Sequence, residues 1–485
     1  MRIPRADGAF RWLILSGSLL LAGQLNTAQD TGQTVPAADQ AAYEEFHRLL
    51  AIGEYASALQ RAQEIVRIEE SHDAESGVLS VAYHQLGKVQ LLTGDANAAV
   101  ASLQRALQLL ESSESIFSHK YIGPLGDLAE SQAALGNHDA AIAAMHQAIA
   151  IGRRTKGLFN ADQVVLLDRM AKSFESIGDI DGVDHARRYA VLVAEQQFGQ
   201  DHPDSLPSIS KLANWFELTG RYAMARALYE RMARIASLEG GERNATVINS
   251  LLGVGRSHRL QYVETPKMVE SSFWGARPAK QFDPVTGQKE AIAGAVDRPG
   301  FEGTATLSRQ GIEALMKCLE LLESVSDPPS DLLARTLVEI GDWYQTGTDP
   351  KRAISYYKRA WPLLEEVSTT AAPNPLLAPR PMFYRLPPNW RQNRVMQHGH
   401  VVERQVEFVM TITDRGDVTD LIRKSGDMTE GQGWQVARTL SHATFSPRFE
   451  NGEPVATVDF SFTESRFETK PEAEAAAAPA DPITR

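Results

Sequence analysis

The chain of 485 residues contains a single cysteine, Cys318. No disulfide can form within it, and a zinc site built on two or more thiolates is excluded. Basic residues are outnumbered, with 49 Lys and Arg against 61 Asp and Glu, a net charge of −12. That balance argues against general nucleic-acid binding, which needs a basic surface to displace phosphate counterions. Chemistry-bearing patterns are also missing. The 12 histidines form no His-Glu-x-x-His helix, and their one close pair, His398 and His400, has a single Glu nearby. Gly253-Val-Gly255 lacks the third glycine of a dinucleotide loop, and there is neither a phosphate loop nor a Gly-x-Ser-x-Gly elbow. Nothing nominates a nucleophile or a general base, so the expectation is a non-enzyme with no cofactor and no metal site.

What is present begins with Arg2, Arg5 and Arg11 ahead of a short apolar stretch, Trp12 to Ala22, followed by polar residues. That stretch is shorter than the roughly 20 residues that span a membrane. Residues 1–28 therefore read as a cleaved secretory signal, with an uncleaved inner-membrane anchor as the alternative. A hydrophobic fraction of 43% over this length predicts two to four folded units.

A glycine followed by small or aromatic residues and then alanine recurs at Gly53, Gly94, Gly136, Gly178 and Gly220, with spacings of 41, 42, 42 and 42. Seven residues before each of the last four sits Gly87, Ala129, Ala171 or Ala213. A small residue there lets two helices approach closely, and the later glycine ends the first helix. The following segment carries apolar or small residues at helical spacing, as in Ala99, Leu103, Ala106 and Leu107. Each unit is an antiparallel helix pair. With Phe198-Gly-Gln-Asp-His-Pro-Asp204, Leu212-Ala-Asn-Trp-Phe216 and Gly220-Arg-Tyr222, the chain resembles the 42-residue variety of tetratricopeptide repeat.

Adding 42 to Ala213 lands on Gly255, but no second helix follows directly. The helical pattern resumes near Thr306, and a last unit carries Gly341 and Thr348. One repeat is therefore split by an insertion of about 40 residues. Cys318 falls where Ala106, Ala148 and Ala360 fall, on the packed face of a second helix.

Residues 368–398 hold six prolines and read as an extended spacer, locally basic through Arg380, Arg385, Arg391 and Arg394. From Val402 the pattern alternates: Val406, Phe408, Met410 and Ile412 on one face, then a turn at Asp414-Arg-Gly-Asp417, a helix near Gly431 to His442, and a strand from Val455 to Phe462. With Ser425-Gly426, Phe445-Ser-Pro447 and Asn451-Gly-Glu-Pro454-Val455, residues 399–467 resemble the C-terminal domain of TonB-type energy transducers. The resemblance implies a periplasmic domain whose strand edge pairs with an extended segment of a partner, with Val455, Thr457, Asp459 and Ser461 on that edge. Energy transducers carry an uncleaved membrane helix and a proline-rich rod. Here the apolar segment is short and repeats replace the rod.

The expected fold class is mainly α, a right-handed solenoid of about seven helix pairs followed by a small α+β domain ordered strand, strand, helix, strand. Its parts are a signal (1–28), repeats (39–262), the insertion (263–303), last repeats (304–367), the proline-rich linker (368–398), the TonB-like domain (399–467) and a disordered tail (468–485). Repeat arrays bind along the surface lined by their first helices. Counting one residue after and three before the small position gives His84, Lys88, Asp168, Lys172, Ser210 and Asn214 as candidate groove residues. The functional expectation is an exported, periplasmic adaptor for protein partners in the cell envelope, outer-membrane proteins among them, with no nucleic acid and with membrane association only if the N-terminal segment stays uncleaved. The alternative is a TonB-type energy transducer or an accessory to outer-membrane transport.

Overall fold

The computed structural model describes residues 37–71, 75–264, 280–282, 289–291, 304–347, 349–369, 373–385 and 401–469. The signal, most of the insertion, the linker beyond residue 385 and the tail beyond residue 469 lie outside the described residues. Among those described, no helix is long and apolar enough to cross a membrane. The chain divides into two compact units, one ending at Leu212 and the other starting at Ala213.

In the first unit, α1 (Ala37–Ala51) pairs with α2 (Tyr55–Ser71), α3 (Ser76–Leu92) with α4 (Ala96–Ser113), α5 (Ile122–Ala134) with α6 (His138–Lys156), and α7 (Ala161–Ile177) with α8 (Ile180–Phe198). The recurring glycines sit at the turns, where Gly53, Gly94, Gly136 and Gly178 have φ of 78°, 89°, 81° and 72°. A side chain at this left-handed position would be strained, so glycine ends each first helix cheaply. The small positions do their expected work in packing. A Cβ on Gly87 would lie 2.6 Å from Leu103 Cγ on the paired helix, and Ala129 and Ala171 are fully enclosed. The stripe Ala99, Leu103 and Ala106 on α4 is wholly buried, as is Ala141, Met145 and Ala148 on α6.

The second unit opens within α9 (Leu206–Leu218) and continues with α10 (Tyr222–Gly240), α11 (Ala245–Glu264), α12 (Thr304–Glu323), α13 (Ser330–Thr346) and α14 (Pro350–Val367). Helix α11 packs on α12, and a Cβ on Gly255 would strike Leu315 of α12 at 2.5 Å. Within the insertion, β1 (Lys280–Phe282) pairs antiparallel with β2 (Lys289–Ala291). Cys318 is fully buried, and enclosure pushes its thiol up to about 12, so it behaves as a core residue.

The C-terminal sheet is three-stranded, ordered β5 (Val418–Gly426), β4 (Val401–Ile412), β9 (Thr457–Thr469), all antiparallel. Val406, Phe408, Met410 and Ile412 of β4 are buried beneath α15 (Glu430–Leu440) together with Val436, Leu440 and Phe445. A capping box at Thr429 and Gln432 starts that helix. Two short ladders were not foreseen: β3 (Arg380–Phe383) with β6 (Thr444–Ser446), and β7 (Arg448–Glu450) with β8 (Glu453–Val455) around an Asn451-Gly452 turn whose residues both have positive φ.

The proline-rich stretch departs from expectation where it is described. It does not run free. Leu376 is fully buried in the core of the last repeats, Met382 is buried, and β3 is bonded to β6 in a two-stranded ladder. Proline disfavours helix but leaves an edge strand available. The β7–β8 hairpin likewise reaches into the last repeat, where Phe449 stacks on Trp361 at 6.1 Å and meets Tyr357 edge-on at 5.8 Å. Helical arrays need a cap over the apolar end of their last unit. Phe449 and Leu376 supply it here.

Candidate functional site

The first helices of successive repeats present equivalent positions to one surface, and the structure sorts the six candidate groove residues into two kinds. Lys88 and Lys172, one residue after the small position, are exposed. His84 and Asp168, three before it, are committed to neighbours. His84 Nε2 lies 2.9 Å from Asp127 Oδ2, and Asp168 accepts from Lys211 Nζ and lies 3.6 Å from Arg187. Both pairings link a residue to one 43 places further on, the repeat period plus one, and Arg169 donates to the carbonyl of Gly126 over the same interval at 3.1 Å. These are staples between repeats. Ser210 is half-buried, and Asn214 accepts a hydrogen bond from the Tyr229 hydroxyl at 2.7 Å.

Asp127 shows how firmly a staple is held. Burial alone would raise its pKa, but the His84 hydrogen bond and the charges of Arg169 and Lys88 outweigh it and keep the carboxyl below its ordinary value. Arg169 also pairs with Glu130 at 2.8 Å. Beside these groups a cleft of about 220 Å³ is lined by Glu130, His138, Met145, Arg169, Lys172 and Ser176. A wider hollow of about 1170 Å³ beside α12 is lined by Glu242, Arg243, Met316, Lys317 and Glu320 among others. No group of three or more His, Cys, Asp or Glu placed to hold a metal occurs among the described residues.

The same count carried to Gly255 and Gly341 lands on Arg256 and Asp342, which the sequence reading passed over. They belong to a largely buried charge network on α9, α11 and α13. Arg256 Nε lies 2.6 Å from Glu217, Arg259 lies 3.1 Å from Glu339 and 3.8 Å from Asp342, and Arg380 grips Asp342 with two bonds of 2.8 and 3.1 Å. The Tyr357 hydroxyl donates to Asp342 at 2.8 Å. Burial first, then the Asp342 charge, pushes that hydroxyl well above its ordinary pKa, so it stays a donor. The signal that would have found this network was the register itself, extended two units further.

His258, on α11, is buried and held down to about 4, first by burial and then by Arg226. Unfolded, a histidine titrates near 6.5, so between pH 6.5 and 4 the unfolded chain binds the extra proton. The resulting stability is present above pH 6.5 and is lost as pH falls to 4, on the order of 2–3 kcal/mol. Urea midpoints measured across that window should fall less steeply for His258→Gln than for the natural chain.

On the sheet, the four proposed edge residues do not lie on one strand. Val455 belongs to β8 and pairs with Arg448, whereas Thr457, Asp459 and Ser461 lie on β9, which among the described residues pairs with β4 and no second strand. Two residues of β9, Val458 and Asp459, stand opposite a single residue of β4, and Asp459 has φ of 54°. This bulge flips the alternation, leaving Val458 68% exposed while Phe462 is buried. Ser461 is tied to Glu407 by a 2.8 Å hydrogen bond, and Asp459 is itself part of the bulge.

Against known proteins, a tetratricopeptide-repeat family model matches residues 80–109, which run from within α3 into α4. No curated protein matches the chain. Among solved structures, a Podosopora anserina protein described as a kinesin light chain with nearly identical TPR-like repeats is similar at 17% identity, covering 42% of this chain and 98% of its own, with a TM-score of 0.39. The C-terminal part of a TPR repeat-containing protein from Cytophaga hutchinsonii is similar at 11% identity over 68% of this chain and 97% of its own, TM-score 0.38. A tetratricopeptide repeat protein from Parabacteroides merdae is similar at 12% identity over 68% and 94%, TM-score 0.36.

Proposed function

We propose that the chain is an exported, periplasmic, non-enzymatic adaptor that holds a protein partner on the first-helix face of its repeats. The observation that carries this reading is the division of labour on that face. Where His84 and Asp168 are spent on staples, Lys88 and Lys172 stay exposed at equivalent positions two repeats apart, with the Glu130–Arg169 cleft beside Lys172. A rigid row of repeats offering its unstapled positions to solvent suits recognition of an extended segment. The C-terminal sheet, by its resemblance to the TonB domain, supplies a second contact in the cell envelope by strand addition along β9.

The test is site-specific photocrosslinking in cells. Crosslinkers at positions 88 and 172 should capture one and the same protein, while a crosslinker at Leu238, 86% exposed, should not capture it. Different proteins at 88 and 172, or equal capture from 238, would remove the reading. Once that partner is in hand, Lys88→Glu and Lys172→Glu should each weaken binding by roughly 5–10-fold at low salt and by less as salt rises, as rim charges do. Sequencing the N-terminus of the protein purified from cells tests export, with a start near Gln29 expected.

A further inference from the structure

In the last two repeats the first-helix face is already filled, and by the chain itself. Asp342 stands at the position that Lys88 and Lys172 occupy upstream, yet it is only 3% exposed because Arg380 lies over it. The repeat helices contribute the carboxylates Glu217, Glu339 and Asp342 to this network together with the guanidiniums Arg256 and Arg259. Arg380 comes to it from outside the helices and binds Asp342 through two parallel hydrogen bonds. Five residues on, Arg385 donates to the carbonyls of Tyr262 and Val263 at the end of α11. Between them the segment is extended as β3, and Gln345 of α13 donates to the carbonyls of Arg415 and Phe445 at 2.6 and 2.8 Å, securing the sheet behind it. An extended segment laid across first helices and anchored by a side chain every few residues is how a ligand of a repeat array binds.

We propose that residues 380–385 are a built-in ligand of the first-helix face of α11 and α13: with Arg380 as its anchor, the segment closes that stretch of the repeats to partners and leaves partner binding to the first helices of the other unit. The inference rests on the first-helix face being the partner face, but its test requires no partner, so the two can fail separately.

The experiment is hydrogen exchange on the full chain, natural and with Arg380→Ala. Amides of Arg380, Met382 and Phe383 on β3 and of Thr444 and Ser446 on β6 should exchange at least tenfold faster in the variant, while amides of α3 to α8, in the other unit, keep their rates. The charge-swapped pair Arg380→Asp with Asp342→Arg should recover most of the protection. Unchanged exchange on β3 in Arg380→Ala, or a rise on α3 to α8 as large as that on β3, overturns the proposal. So does a charge swap that folds, by circular dichroism, without recovering protection. Should Arg380→Ala fail to fold, Arg380→Lys, which keeps the charge and loses the two-pronged bond, is read by the same amides and the same criteria.

Discussion

Replacing Phe449 by alanine should destabilise the second unit by about 3–5 kcal/mol, the usual cost of removing a fully buried aromatic ring. Phe449 belongs to the β7–β8 hairpin, in the part of the sequence that reads as a separate domain, yet its ring is 1% exposed and lies among Tyr357, Trp361 and Leu364 of the last repeat. The loss should therefore register on the repeat side as well. The urea midpoint should drop, and tryptophan emission should shift to the red as Trp361 meets water. Trp434 is the control. It sits on α15 in the same C-terminal region but is 59% exposed, so Trp434→Ala should change stability by less than about 1 kcal/mol.

Asp342→Asn should cost a similar amount, about 3–5 kcal/mol, for a different reason. The substitution keeps the shape and removes the charge that Arg380 and Arg259 face, leaving Arg380 without its counter-charge and Arg259 with Glu339 alone, and weakening the acceptor of the Tyr357 hydroxyl. Because Asp342 is enclosed, salt should mask the effect less than it does at the surface lysines of the first unit. A double-mutant cycle with Arg380→Ala separates the pair from its surroundings. A coupling above about 2 kcal/mol is expected, and a coupling near zero would mean that Arg380 merely lies nearby.

Most of the helical architecture was legible because it repeats. Gly53, Gly94, Gly136 and Gly178 mark turns that only a positive φ permits, and Gly87 and Gly255 mark places where a neighbour leaves no room for a Cβ. A periodic constraint of that kind survives insertion, which is why Gly255 could be matched with α12 across the intervening segment. The C-terminal alternation of Val406, Phe408, Met410 and Ile412 was equally plain. What composition could not convey was docking. Six prolines describe a segment that avoids helix, and they are silent on whether Leu376 and Arg380 find partners. The bulge at Asp459 was likewise hidden, since a strict alternation through Val458, Phe460 and Phe462 looks unbroken until one extra residue turns Val458 outward.

The candidate site was half legible for a related reason. Counting from the small residue finds the positions that face the groove, but not which of them the next repeat takes up. His84 and Asp168 are spent on partners 43 residues away, an interval visible only once the offset of one residue between adjacent units is known. Arg256 and Asp342 satisfy the same count, Arg256 ahead of the insertion and Asp342 beyond it, but the count does not tell that Glu217 and Arg380 take them up.

The C-terminal β region, with the segment that leads into it, is the cap of the last repeat and not a domain on a free tether. Native-state hydrogen exchange at increasing urea tests it most directly. Amides of α13 and α14 and those of β4 and β9 should converge on one opening free energy with one dependence on denaturant, because Phe449, Leu376 and the Arg380–Asp342 pair make them a single cooperative body. If β4 and β9 instead exchange through a smaller opening of their own while α13 and α14 stay protected, the sheet is independent and the cap does not exist.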